Sequence, residues 1–345
     1  MLRIHVGVST RIVRIASLAL GILGSAAFSY AVTPLPFTPN NPIGGQPVGF
    51  SFAGNKFVGT ILGDGTGRLY STDLTGNSIA PFGGTVSLVA GHGQEHYVSS
   101  SIGLGGFPNG DIYVASGNNI QHITNAGVAD PGLFVTGSAG LNGLVRGITF
   151  DAFGTFGNQM IVTTDTGFVY TINSAGTATN IASTGEDTEG LDVAPVGPGA
   201  HWGGLNGALF VASENSGTIR AIKPVSFAVT TVGTIPSAEQ LDFVPLNLGA
   251  SGSPLEGMYS ANYPNNVLKA PYTDFTTMID DVIITGETTK QISDLSAVNT
   301  FTGVGVFPNQ PEDGLFVTAA MVPEPGTLTL LGAGGLLLLS RRRNR

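Results

Sequence analysis

Between residues 32 and 322 the chain repeats one pattern of apolar and polar positions: a strand-like apolar stretch, a turn of Gly, Asn or Asp, and a second strand-like stretch. It runs as Met160–Thr164, a turn at Asp165–Gly167, then Phe168–Ile172, and returns as Leu209–Ser213, Glu214–Gly217 and Thr218–Ile222. Weaker copies are Lys56–Leu62 with Arg68–Thr72, Asp111–Ala115 with Ile120–Thr124, and Gly257–Ala261 with Val267–Ala270. Aligned on Gly67, Asn119, Gly167, Gly217 and Asn266, the copies are 52, 48, 50 and 49 residues apart. A period of this size marks a repeat architecture.

Each unit also has an upstream strand, clearest in Thr188–Pro195 against Ala238–Pro245, with relatives at Gly147–Asp151 and Gly303–Pro308. An outer strand follows in most units, as in Thr230–Ile235 and Asp281–Thr285. Four short strands per unit of about 50 residues, separated by Gly/Asn/Asp turns, predict β-propeller blades. Tandem sandwiches would need units of about 100 residues. No segment long enough for a core helix shows a 3.6-residue apolar period, which argues against an α/β fold. The expected fold is therefore all-β, a single propeller of about six four-stranded blades. The last unit is incomplete, with Gly303–Phe307 and Leu315–Ala319 as its two inner strands. Closure then requires a segment from elsewhere, and Val32–Phe52 is the expected donor.

The two ends break the pattern. Residues 1–14 hold Arg3, Arg11 and Arg14 and no acid, Ile15–Phe28 is uncharged and apolar, and Ser29-Tyr30-Ala31 places small residues where a signal peptidase reads. Residues 1–31 are read as a signal peptide cleaved after Ala31, which implies Sec-type export and signal peptidase as partners. At the other end Pro323-Glu324-Pro325 precedes the apolar run Leu328–Leu339, followed by Arg341, Arg342, Arg343 and Arg345. Met321–Ser340 is 20 residues, long enough for a spanning helix. The arginines would hold the C-terminus in the cytoplasm and leave the body outside.

This box, helix and basic cluster resemble the PEP-CTERM sorting signal of Gram-negative bacteria. The resemblance covers residues 322–345 and implies cleavage at or near the box by an integral membrane cysteine protease, exosortase. It further implies transient anchoring in the inner membrane, then release to the cell surface or exopolysaccharide matrix. The domain plan is 1–31 signal peptide, 32–322 propeller and 323–345 sorting signal.

Composition sharpens this plan. The 51 Gly fit turns and crowded inner strands, and the absence of Cys removes disulfides, thiolate metal sites and thiol nucleophiles together. Without the two ends the net charge of −9 becomes −15, from 7 basic and 22 acidic residues. So acidic a body repels nucleic acid and anionic lipid.

The candidate chemistry is acidic. Glu189 and Asp192 in one unit align with Glu239 and Asp242 in the next. Equivalent positions of successive inner strands converge on a propeller's axis, where hard oxygen ligands suit Ca²⁺. The competing reading places these carboxylates at strand entries, bonding backbone amides or facing solvent. His92-Gly93-Gln94-Glu95-His96 matches a zinc-peptidase string, but that chemistry needs a helix and the glycines disfavour one. His122 is expected to pack within a strand, and Trp202 either stacks on a sugar ring or packs its loop. There is no nucleophile elbow, Walker loop, dinucleotide fingerprint or EF-hand loop. The blade pattern resembles NHL-like and gluconolactonase-like propellers in strand order and spacing, with none of their catalytic motifs. The expected role is structural or binding, toward polysaccharide or another surface protein. The rival is a hydrolase or lactonase-like enzyme with a divalent metal in the axial channel.

Overall fold

The structure, a computed structural model, describes residues 32–136 and 140–321. The expected signal peptide and sorting helix fall outside these residues; among the described residues no helix is long and apolar enough to cross a membrane. The chain forms six antiparallel sheets, five of four strands and one of three, and a two-stranded ribbon of Gly65–Thr66 with Ser87–Leu88. The innermost strands are Pro47–Phe52, Val98–Ser100, Val145–Phe150, Leu191–Val193, Ala238–Phe243 and Gln310–Val317, which define blades one to six. Each packs beside the next, and Gln310–Val317 packs against Pro47–Phe52, so the ring closes as a six-bladed propeller.

Burial falls from the axis outward, as the apolar pattern requires. In blade four every residue of Leu209–Ser213 is buried, because neighbouring blades cover both faces of that strand. Thr218–Ile222 is partly open, and Val229–Thr234 presents four exposed residues at the rim. The core consists of layers between blades. One holds Phe210, Trp202, Leu241 and Phe243 between blades four and five; another holds Phe50, Phe57 and Tyr259 between blades one and six.

Glycine in the innermost strands has a steric cause. A Cβ on Gly147 would lie 2.3 Å from the Glu189 carbonyl oxygen, and one on Gly190 would lie 2.1 Å from that of Glu239. Backbones of adjacent blades meet there without room for a methyl group. Gly190→Ala is expected to cost about 3 kcal/mol, the upper end of overpacking losses, read as a lower urea midpoint. An unchanged midpoint would mean that the blades can move apart freely.

Two expectations are corrected in the last third of the chain. The hairpin Gly257–Tyr263 with Asn266–Pro271 keeps the 50-residue rhythm, yet it belongs to blade six, paired with Gln310–Val317. Blade five is completed by the strands that follow it: Val282–Gly286 beside Ala238–Phe243, then Gln291–Ala297, then Thr300–Val306 at the rim. Thus Val282–Gly286 is a second strand, not an outer one, and the stretch read as an innermost strand, Gly303–Phe307, begins inside an outermost strand. The chain crosses to the next blade and returns. Apolar periodicity identifies strands but not which neighbour each one pairs with.

Closure comes from the N-terminal segment. Leu35–Pro36 pairs with Lys269 and Leu268 as the outermost strand of blade six, while Pro47–Phe52 opens blade one. The last blade therefore joins both ends of the described chain.

Candidate functional site

The innermost strands share one irregularity that positions the axial side chains. In blade one Val48 and Gly49 face the single residue Thr60, because the register jumps between Pro47 and Phe50. Equivalent bulges fall at Arg146 in blade three, Glu239-Gln240 in blade five and Glu312-Asp313 in blade six. A bulge inserts one residue and re-aims its neighbours. Residues three apart in a strand, which would otherwise face opposite ways, can then both face the axis.

At the start of the innermost strands this places Tyr97, Arg146, Glu189, Glu239 and Glu312 together. The Arg146 side chain, 4% exposed, pairs with Glu95 and Glu189, donates from Nε to Asp187 Oδ1 at 3.2 Å, and lies 3.8 Å from Glu214. Its guanidinium also lies 5.3 Å from the centre of the Tyr97 ring. Gln310 donates to both Glu287 and Glu312. Seven carboxyl groups thus surround one buried guanidinium, with His92 at the edge, 3.3 Å from Asp165 and 3.9 Å from Asp187.

Not all of these carboxyls can be charged. Burial pushes Glu239 and Glu287 up to about 8, and Glu312 well above the usual carboxylate range, with neighbouring acids adding to the shift. The hydrogen bonding agrees. The Tyr97 hydroxyl lies 2.9 Å from Glu189 Oε2 and 3.2 Å from Glu239 Oε1, yet it has one hydrogen to give. A protonated Glu239 donates the second bond.

At the opposite end of the same strands the axis widens into a cavity of about 440 Å³ built by all six blades. Its polar lining includes Ser51, Ser100, Thr149, Asp192, Asp242 and Asp313. Ser51 and Ser100 hydrogen-bond through their hydroxyls at 2.9 Å. Asp192 is held by the backbone N–H groups of Val193 at 2.7 Å and Phe243 at 2.9 Å, and Gln240 Nε2 donates to Asp242 Oδ2 at 2.5 Å. Burial raises Asp192 to about 7 and lifts Asp242 and Asp313 well above their usual range. No Lys, Arg or His lines this cavity. The last described residue, Met321, also lines it.

The four carboxylates singled out in the sequence therefore divide into two pairs. Glu189 and Glu239 share Tyr97 at one end; Asp192 and Asp242 interact at the other. Among the described residues, the acidic set whose ligand oxygens all lie within 4.8 Å of one another is Asp187, Glu189 and Glu214. Arg146 already supplies the positive charge there, so a divalent ion would have to displace a buried guanidinium. The sequence reading missed Arg146, Tyr97 and Glu312, because the bulges that gather them leave no mark in the apolar pattern.

The other singled-out residues have ordinary partners. His92–Gln94 forms one 3-10 turn with Gly93 at φ +57°, so the zinc-type string is not helical. His96, with no exposed surface, bonds to the Ala115 carbonyl at 2.9 Å and to Asp64 at 3.2 Å. His122 is held by Asp111 at 2.9 Å and Asp130 at 2.7 Å. Trp202 is only 7% exposed, and its indole N–H donates to the Asp280 carbonyl at 2.7 Å. Its packing against Phe210 and Phe243 leaves no face for a sugar.

Comparison with known proteins bears on the end of the chain and on the fold. Residues 322–344 match the PEP-CTERM protein-sorting motif. The PEP-CTERM motif marks an exported protein sorted by an exosortase. No curated protein matches the chain in sequence. Among solved structures, a candidate gluconolactonase aligns at 8% identity over 82% of this chain and 84% of its own, with a TM-score of 0.52. A streptogramin B lyase aligns at 12% identity over 82% and 76%, with a TM-score of 0.46. An inactive virginiamycin B lyase from Staphylococcus aureus, solved with quinupristin, aligns at 13% identity over 83% and 78%, with a TM-score of 0.45. The first of these supports the propeller fold; at such identities activity does not transfer.

Proposed function

We propose that the mature protein is a binding propeller of the cell surface or exopolysaccharide matrix, and that its axial cavity is the binding site. The observation that carries this reading is the cavity of about 440 Å³. Its size lies within the range of small-molecule sites, about 300–1,000 Å³. Hydroxyls and carboxyls provide hydrogen-bond partners, and phenyl rings provide apolar walls. The serines there have no histidine or lysine beside them in the lining to act as a base, so the geometry favours binding over acyl transfer. The PEP-CTERM motif supports delivery to the exterior.

Two measurements test this. The intact mass of the protein recovered from the producing cells should lack residues 1–31 and the Arg-rich tail; a retained tail would remove exosortase release from the account. The mature protein should co-sediment with extracted exopolysaccharide, and Thr149→Tyr, which narrows the cavity, should weaken this while leaving the circular dichroism spectrum intact. Retention unaffected by a folded Thr149→Tyr variant would place binding elsewhere.

A further inference from the structure

Among the described residues two phenylalanines are exposed, Phe153 and Phe227, and Phe153 lies in the lining of the axial cavity. It is 39% exposed. A single exposed apolar side chain on a surface needs no explanation. Phe153 is not single: Ile102, Leu246 and Leu315, all partly exposed, line the same cavity.

The loop that carries Phe153 is fixed in advance. Asp151, with no exposed surface, accepts the backbone N–H groups of Phe153 at 3.0 Å, Phe156 at 2.7 Å and Asn158 at 2.9 Å. Phe156 is buried in the layer between blades three and four, and Thr155 Oγ1 donates to the Gly207 carbonyl of blade four at 2.8 Å. The loop is thus anchored on both sides of a ring that it leaves in water. An apolar face brought against that ring gains burial with little further ordering of the protein.

Charge and polarity narrow the ligand. Asp192, Asp242 and Asp313 line the cavity, and no Lys, Arg or His does. A carboxylate, sulfate or phosphate on the ligand would enter with no cation to pair it and acidic groups beside it, which is costly. Ser51, Ser100, Thr149 and Asn247, also in the lining, both donate and accept hydrogen bonds. A neutral sugar with equatorial hydroxyls has an apolar C–H face and a rim of hydroxyls, and so meets both kinds of surface.

On the reading that this cavity is the binding site, we propose that Phe153 is the platform on which a neutral, equatorially hydroxylated sugar ring of the bound glycan stacks. The ring's C–H face lies on the phenyl group, and its hydroxyls turn toward Thr149 and Asn247. Glycans bearing acidic groups are rejected.

The test is titration of the mature protein at pH 7 with cellotetraose and with its counterpart oxidised to carboxylate at every C6, followed by NMR and calorimetry. The oxidised tetramer is expected to bind at least tenfold more weakly. Phe153→Ala should weaken cellotetraose binding at least tenfold, whereas Phe153→Trp, which keeps a stacking face, should retain it. The position is exposed, so both variants should keep the circular dichroism spectrum of the parent. Equal binding of the two tetramers would overturn the neutral preference. Cellotetraose binding that is unchanged in Phe153→Ala but weakened in Thr149→Tyr would overturn the platform and leave the cavity as the binding site. Binding unchanged in both variants would overturn the cavity reading as well. Absence of cellotetraose binding at tens of millimolar would also overturn the proposal, and co-sedimentation with exopolysaccharide would then decide the cavity reading separately.

Discussion

Arg146→Met is expected to cost about 3–5 kcal/mol of stability at pH 8, the usual consequence of leaving buried charge without its partner, and far less at pH 5. The guanidinium is buried, with Glu95, Asp187 and Glu189 as direct partners and Glu239 and Glu312 within its field. Methionine keeps much of the volume and removes the only buried cation of this cluster. The pH dependence follows from proton counting. A carboxyl whose pKa is raised by folding holds its proton in the folded state over a range where the unfolded chain has lost it. Stability then falls as pH rises from the unfolded value, about 4, to the folded one. In the parent this window reaches about 8, through Glu239 and Glu287. Without Arg146 the neighbouring acids join the same window, so the loss grows with pH. Urea unfolding of parent and variant at pH 5 and pH 8 checks this. An equal loss at both would show that Arg146 contributes through packing alone.

Removal of residues 32–38 is expected to destabilise the mature protein by about 5 kcal/mol or more, comparable with the whole stability of many domains. This short segment holds the ring shut. Val32 is buried and its N–H bonds to the Val304 carbonyl at 2.9 Å in blade five, while Leu35–Pro36 and Phe37 bond to the rim of blade six. Phe37 inserts between Phe57 and Tyr259, with ring centres 5.0 and 4.8 Å away. Phe37 is half-buried, so loss of its phenyl group costs about 2 kcal/mol, less than the roughly 3–5 kcal/mol of a fully buried ring. Phe37→Ala should therefore reproduce part of the effect, measured as the drop in thermal midpoint. A truncated protein that melts with the parent would show that the ring closes without this strand.

The fold was legible in the sequence because a propeller repeats its burial pattern. Strands such as Met160–Thr164 and Leu209–Ser213 are mostly apolar and buried at every position since both faces are covered, and the Gly/Asn turns between them recur at a nearly constant interval. The pairing of the last hairpins was not legible. Gly257–Tyr263 has the composition of a second strand whichever blade it joins, and only its packing against Gln310–Val317 decides between them. The site was half legible. Aligned units singled out Glu189, Asp192, Glu239 and Asp242 as one axial set, and the structure splits that set into a pair at each end of the axis. The bulges at Arg146, Glu239 and Glu312 were invisible, and with them the division of the axis into a compensated end and an uncompensated one.

The most direct measurement is a crystal structure of the mature protein soaked with an oligosaccharide released from the producing cells' exopolysaccharide. The account predicts density in the axial cavity, with a sugar hydroxyl near Ser51 or Ser100. Density at the Arg146 end or on the outer blades, with the cavity holding only solvent, would contradict it.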